Sequence, residues 1–514
     1  MRLRSTAIHF ILAFCVTLPI LTLGAGAPIL GAQEHHHAGG AEAMSPGHLG
    51  QVHFPTSCAP AVQAQFEKAV ALLHSFQYVA SDQAFKSVAA QDPSCAIAYW
   101  GQSLTLWHGL WERPDAATLK TGHDELQKAT EARTPREREY IAAATAFYQD
   151  DPQLDYKARA TAYSTAMGKV YADYPGDGEA AAFYGLSLIA IPAEGDADLA
   201  NRTRAIAILN KLFAAEPDHP GAAHYMIHAC DTPALASQGL DAARRYARIA
   251  PDSSHALHMP SHIFARLGLW QEMIDSNLAA VAAAAEATKA GLGDEHYQTH
   301  AMTFLQYAYL QTGQNQKALQ LIDALKDVPG ITAAEAEDDQ ASFRARYALE
   351  THDWKMAAQL QSTSTWPVTW WARAIGAART GDAAAAQADV DKLAEATTAS
   401  KSKEKQQGYD VKDEKTIDQL EAEAWLDNAA GKPDDAVQTL RAAADREDRS
   451  GVDSISIPAR EMLGDLLMEL KQPDAALEAY RIALKESPNR LDSRQGATLA
   501  GRLAGAPATA GGSK

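Results

Sequence analysis

The chain is poor in positive charge. It carries 46 Lys and Arg against 64 Asp and Glu in 514 residues, a formal net charge of −18. Such an acidic surface repels phosphate backbones and anionic lipid, so nucleic acid and charged membranes are excluded as partners. Long apolar runs are missing after residue 23, which excludes a multispan membrane protein. Period-two alternation is missing as well, so no sheet is expected. The motifs of common chemistries are also absent: there is no His-Glu-x-x-His, Gly-x-Ser-x-Gly, phosphate loop or dinucleotide fingerprint. Cysteine is scarce, with only Cys15, Cys58, Cys95 and Cys230.

At the N-terminus, Arg2 and Arg4 precede the apolar run Ala7 to Leu23, and small residues follow at Gly24–Ala27 and Gly31-Ala32. This order is that of a cleavable export signal, expected over residues 1–32, and it places the protein in the periplasm or outside the cell. Removal of Arg2 and Arg4 leaves a net charge of −20. In an oxidising compartment Cys58 and Cys95, separated by 37 residues, can pair, which leaves Cys230 as a free thiol. Residues 33–60 lack a helical period and hold His35-His36-His37; they are expected to form a flexible leader, extended at Val52–Pro55. The polar stretch 400–415 reads as a solvated loop, and the Gly/Ala-rich tail 504–514 as disordered.

From Val62 onward apolar residues recur at three- and four-residue steps in blocks of 12 to 18, punctuated by Pro, Gly and Asn. The chain is therefore all-α. A chain of this length ordinarily splits into several domains, but a stack of repeats grows along one axis without that limit. Prolines close successive helical pairs at Pro93, Pro217, Pro251 and Pro488, and Pro217 and Pro251 stand 34 residues apart. The phrases Phe264-Ala265-Arg266-Leu267-Gly268, with Trp270 following, and Tyr309-Leu310-Gln311-Thr312-Gly313 repeat the turn inside a pair. On these residues the chain resembles the tetratricopeptide-repeat superfamily over 61–503, which implies a right-handed α-solenoid of helix-turn-helix repeats. The segments Leu73-His74-Ser75-Phe76, Ala98-Tyr99-Trp100-Gly101 and His258-Met259-Pro260-Ser261-His262-Ile263-Phe264 are similar to a group of exported bacterial repeat proteins. They are more distantly similar to the tetratricopeptide repeat protein 38-like group.

Histidine spacing is the feature that points to chemistry. Three pairs stand at i, i+4: His224/His228, His258/His262 and His296/His300. On a helix such a pair projects from one face, one turn apart, within chelating reach. The first two pairs are 34 residues apart, and so occupy equivalent positions of neighbouring repeats. The repeat resemblance implies that His224, His228, His258 and His262 sit at positions 5 and 9, with His255 and His300 at position 2, all lining the concave groove. Asp231 follows on the face of His224 and His228. Met226, Met259 and Met302 neighbour the pairs, but their offsets assign them to the core.

The expected site is therefore a divalent transition-metal centre drawn from His224, His228, Asp231, His255, His258, His262, His296 and His300. Zinc or copper suits the imidazole donors best, with iron or nickel as further choices. Two other readings stand beside it. One is a metal-independent groove for an extended peptide or protein partner, with the histidines as polar contacts. The other is a metalloenzyme that uses a set such as His224, His228 and Asp231.

Overall fold

Helix after helix begins on a side-chain oxygen. Asp115, Asp155, Asp177, Ser253, Asp353 and Asp382 each accept a backbone N–H of the first turn. Thr134 with Glu137, Thr332 with Glu335 and Thr416 with Gln419 form reciprocal capping boxes. Helix ends turn at glycines in the left-handed region, as at Gly268, Gly313, Gly381 and Gly431. These stop and start signals cut the chain into antiparallel helix pairs. The computed structural model describes residues 48–505, apart from 130–131, 292–294 and 410. The expected export signal, the leader up to residue 47 and the tail from 506 lie outside the described residues. Among the described residues no strand forms, and no helix is long and apolar enough to cross a membrane.

Each helix packs on the next in sequence, and the first helices of adjacent pairs also touch. These contacts between successive helices and successive pairs are those of an all-α solenoid. Packing inside a pair relies on rings seated against small residues. A Cβ at Gly464 would lie 2.6 Å from the Tyr480 ring, so the two helices can approach only because that side chain is missing. The polar stretch expected as a loop from residue 400 is helical as far as Gln406, within the helix Ala383–Gln406. Lys403 and Lys405 in its last turn complement the helix dipole.

The end of the expected leader also differs from that expectation. Residues 48–60 form an extended strap whose Phe54 is fully buried. Its ring lies 5.2 Å from Phe66, 5.4 Å from Trp100 and 5.0 Å from Tyr140. Cys58 is joined to Cys95 by a disulfide, and the Ser57 backbone N–H donates to Glu137 at 2.6 Å. Leu49, Val52 and Phe54 are too few apolar positions to carry a periodic signal, and burial of Phe54 nevertheless anchors the segment. The stack also bends back on itself: Gln63–His74 packs against Pro220–Cys230, although about 150 residues separate them.

Candidate metal centre

The helix Pro220–Cys230 carries His224 and His228. The next pair opens with the short helices Ser254–His258 and Pro260–Leu267, which carry His255, His258 and His262. Pro260 lacks the N–H that would continue the first of these into the second, so the His258/His262 spacing spans a break in the helix. Glu295–Gln311 follows and carries His296 and His300. These helices lie side by side, and six histidines converge in two sets of three: His224, His228 and His255, and His258, His262 and His300.

The two sets are built alike. Each takes the i, i+4 pair of one repeat and the early histidine of the following one. In the first set the Nε2 of His224 lies 3.1 Å from that of His228 and 3.0 Å from that of His255. In the second, the Nε2 atoms of His258 and His262 are 3.1 Å apart, and the His300 ring lies 4.6 Å from that of His258. Nitrogens bound to one ion at about 2.0–2.1 Å with tetrahedral angles stand roughly 3.3–3.4 Å apart, so the 3.0–3.1 Å separations here, which also suit N–H···N hydrogen bonds, would need only a small widening to hold an ion.

The outer nitrogens decide the tautomers. His224 Nδ1 lies 2.6 Å from the His74 carbonyl oxygen, which can only accept, so Nδ1 bears the proton. His258 Nδ1 faces Asn277 Oδ1 at 2.7 Å, and that amide is held the right way round because its Nδ2 donates to the Met273 carbonyl at 2.8 Å. His262 Nδ1 donates to Asp231 Oδ2 at 2.9 Å. In its neutral form each of these three rings therefore turns a bare Nε2 lone pair inward. Burial pushes His224 down to about 3 and holds His228, His255 and His258 well below the ordinary histidine range, so these rings are neutral.

Not every expected residue joins a set. Asp231 caps the C-terminus of its helix and lies between His262 Nδ1 and Arg266 Nε, the latter at 2.8 Å. Both its oxygens are engaged outside the Nε2 cluster, so it orients His262 instead of serving with His224 and His228 as a third ligand. His296 stands in the first turn of its helix with 69% of its side chain exposed, 4.0 Å from Glu335. Met226, Met259 and Met302 are buried. Cys230 is a buried free thiol pushed up to about 12 by burial, hence protonated and unsuited as a ligand.

A third cluster, unforeseen from the sequence, adjoins the first. Glu179 accepts from His74 Nε2 at 2.7 Å and His219 Nε2 at 3.2 Å. Tyr225 O–H donates to His74 Nδ1 at 2.9 Å, and the Ala222 N–H to His219 Nδ1 at 3.1 Å. Although its residues could surround an ion, every ring nitrogen already has a partner of the right kind. The cluster instead fixes the His74 backbone that orients His224. Gly221 allows it, since a Cβ there would lie 2.5 Å from His74 Nδ1. The long-range closure of the stack brings these residues together, and no sequence period reports such closure.

No family model matches the chain, and no curated protein does. Among solved structures, the chain is similar to the human IFIT1 dimer with m7Gppp-AAAA at 13% identity and a TM-score of 0.38, covering 84% of this chain and 95% of that one. Yeast Tom70 is similar at 11% identity and a TM-score of 0.34, covering 86% and 96%. The P58(IPK) TPR domain is similar at 13% identity and a TM-score of 0.22, covering 87% and 98%. At such identities a shared ligand does not follow from the resemblance.

Proposed function

We propose that the protein binds two transition-metal ions, one in each trihistidine set. The observation that carries this is the His258/His262 pair. Asn277 and Asp231 accept from the two Nδ1 atoms, so with both rings in the neutral form the two Nε2 lone pairs face each other 3.1 Å apart. Two facing acceptors repel, and a cation between them removes the repulsion. All six inner donors are imidazoles, which suits copper or zinc ahead of iron or nickel, and outside the cytoplasm the affinity order favours copper. The supporting acceptors on Nδ1 are what metal-bound histidines ordinarily have. Export to an oxidising compartment belongs to the same proposal. The N-terminal signal pattern supports it, as does the Cys58–Cys95 disulfide.

The test is elemental analysis and isothermal titration of the exported chain supplied with Zn, Cu, Ni or Fe. Two equivalents are expected. His228→Ala and His262→Ala should each remove one, and the double variant both, with the far-UV circular dichroism unchanged. A parent that holds no metal under any of the four supplies would replace this reading by the peptide-binding groove.

A further inference from the structure

Both trihistidine sets face one cavity of 620 Å³. His228 and His255 reach it from the first set, and His262 and His300 from the second. Three protein ligands leave a metal ion at least one open position, as metal sites that accept substrates do. Since four of the six ligands line the cavity, the open positions point into it.

Beside the ligands the wall is aromatic, the Phe76 ring lying 4.3 Å from that of His224. Phe76 stacks on Tyr78, centroids 5.4 Å apart, and Trp111 meets Phe76 edge-on at 5.0 Å. Trp111 remains 44% exposed, unusual for so large an apolar side chain, and it lines the cavity. Its ring lies 6.2 Å from His255 and 6.4 Å from His228, so the aromatic wall extends to the ligands themselves. Tyr297 closes the other side, 4.9 Å from the His255 ring. Among the described residues of the lining Glu112 is the one carboxylate, and it is paired with His108 at 2.7 Å. A ligand suited to these walls has a flat apolar ring at one end and an oxygen donor for a metal at the other.

We infer that the cavity binds a phenolic small molecule of one to three rings, its ring against Phe76, Tyr78 and Trp111 and its oxygen directed to the metal pair. The volume is within the range of small-molecule sites, about 300–1,000 Å³, and the predominance of rings with few polar groups is typical of them. This inference rests on the metal reading above.

The probe is 4-nitrocatechol, titrated into the zinc-loaded full chain, zinc being redox-inert. Binding is read from the shift of the probe's visible absorption and from quenching of tryptophan fluorescence, with zinc content measured on the same samples. Saturable binding is expected, with displacement by catechol and none by trans-1,2-cyclohexanediol. Trp111→Ala should weaken binding at least about tenfold at unchanged zinc content, and Trp111→Phe should restore most of it. A chain that takes up no metal overturns both readings. Two equivalents of zinc without saturable binding, or a Trp111→Ala variant that binds as tightly as the parent, overturns this inference alone.

Discussion

Two buried polar clusters occupy the same solenoid and are finished in opposite ways. Toward the C-terminus the fully buried Arg490 sits between two carboxylates. Its Nε and Nη2 donate to Glu461 at 2.7 Å each, and Nη1 and Nη2 donate to Glu350 at 2.9 and 3.0 Å. The remaining N–H goes to the Tyr307 hydroxyl at 2.9 Å. All five guanidinium donors are matched, Gln311 donates a further bond to Glu350, and Ser493 donates to Glu461. In the trihistidine sets the outer Nδ1 atoms of His224, His258 and His262 are matched, that of His255 has no partner, and the inner nitrogens crowd together 3.0–3.1 Å apart. A polar cluster complete within the chain is a structural tie; one that is complete only when a cation arrives is a site. Abundance of histidine does not distinguish them, because the His74–Glu179–His219 cluster is of the first kind.

The largest expected effect breaks the structural tie. Arg490→Ala strands Glu350 and Glu461 without their counter-charge and should cost about 3–5 kcal/mol in urea unfolding, the usual result of removing one partner of a buried pair. That loss should be the same with and without metal. The histidine clusters should behave in the reverse way. Adding zinc or copper at about a hundred times the dissociation constant should stabilise the parent by about 2.7 kcal/mol per site, and chelation should remove that increment. The increment should survive in Arg490→Ala and vanish in the His228→Ala/His262→Ala double variant. Loss of the metal increment in Arg490→Ala would show that the two clusters are not independent.

Acidity separates the regions further. Beside the arginine tie, Asp465 is pushed up to about 7, mainly by burial and then by the nearby Glu461 charge; it accepts from the Tyr480 hydroxyl at 2.6 Å. An acid with a raised pKa in the folded state binds its proton there while the unfolded chain has released it. Its stabilising contribution is thus present below about pH 4 and is lost as pH rises towards 7, on the order of 2 kcal/mol for a partly screened group. Asp465→Asn should flatten the stability profile of the metal-free chain between pH 4 and 7, as measured by thermal unfolding. An unchanged slope would remove Asp465 as its source.

The repeat architecture and the two in-phase histidine pairs could be read from spacing, because a solenoid copies position from unit to unit. The same copying explains why His255 and His300 complete the sets, one from each following repeat. What spacing could not report is direction and closure. Asp231 lies on the face of His224 and His228 in a helical count, yet it ends the helix and so swings toward His262 and Arg266. Asn277 reaches His258 from the neighbouring helix Trp270–Lys289, where a lone amide among alanines reads as surface. The Glu179 cluster depends on contacts between distant repeats, and Phe54 on the docking of a segment outside the repeats, and neither leaves a period behind.

The smallest effects set the boundary of the site. Asp231→Asn keeps the shape of the side chain but exchanges a charged acceptor for a weaker one. Loss of such an outer partner typically costs about 10- to 100-fold in metal affinity, so one of the two equivalents should bind that much more weakly. Arg266 loses its ion pair in the same variant, so Arg266→Gln is the control that separates the two contributions. If Asp231 acts by orienting His262, Arg266→Gln should weaken metal much less than Asp231→Asn does. His296→Ala should do almost nothing. The side chain is exposed, stands 4.0 Å from Glu335 and belongs to neither set, so stability should move by less than about 0.5 kcal/mol. Metal stoichiometry by elemental analysis should stay at two. Its i, i+4 relation to His300 is identical in sequence to those of the two pairs proposed as ligands, which makes it a direct internal control. A His296→Ala variant that lost an equivalent would mean that the second set closes around His300 with a different partner, and would return spacing alone to the status of a reliable guide.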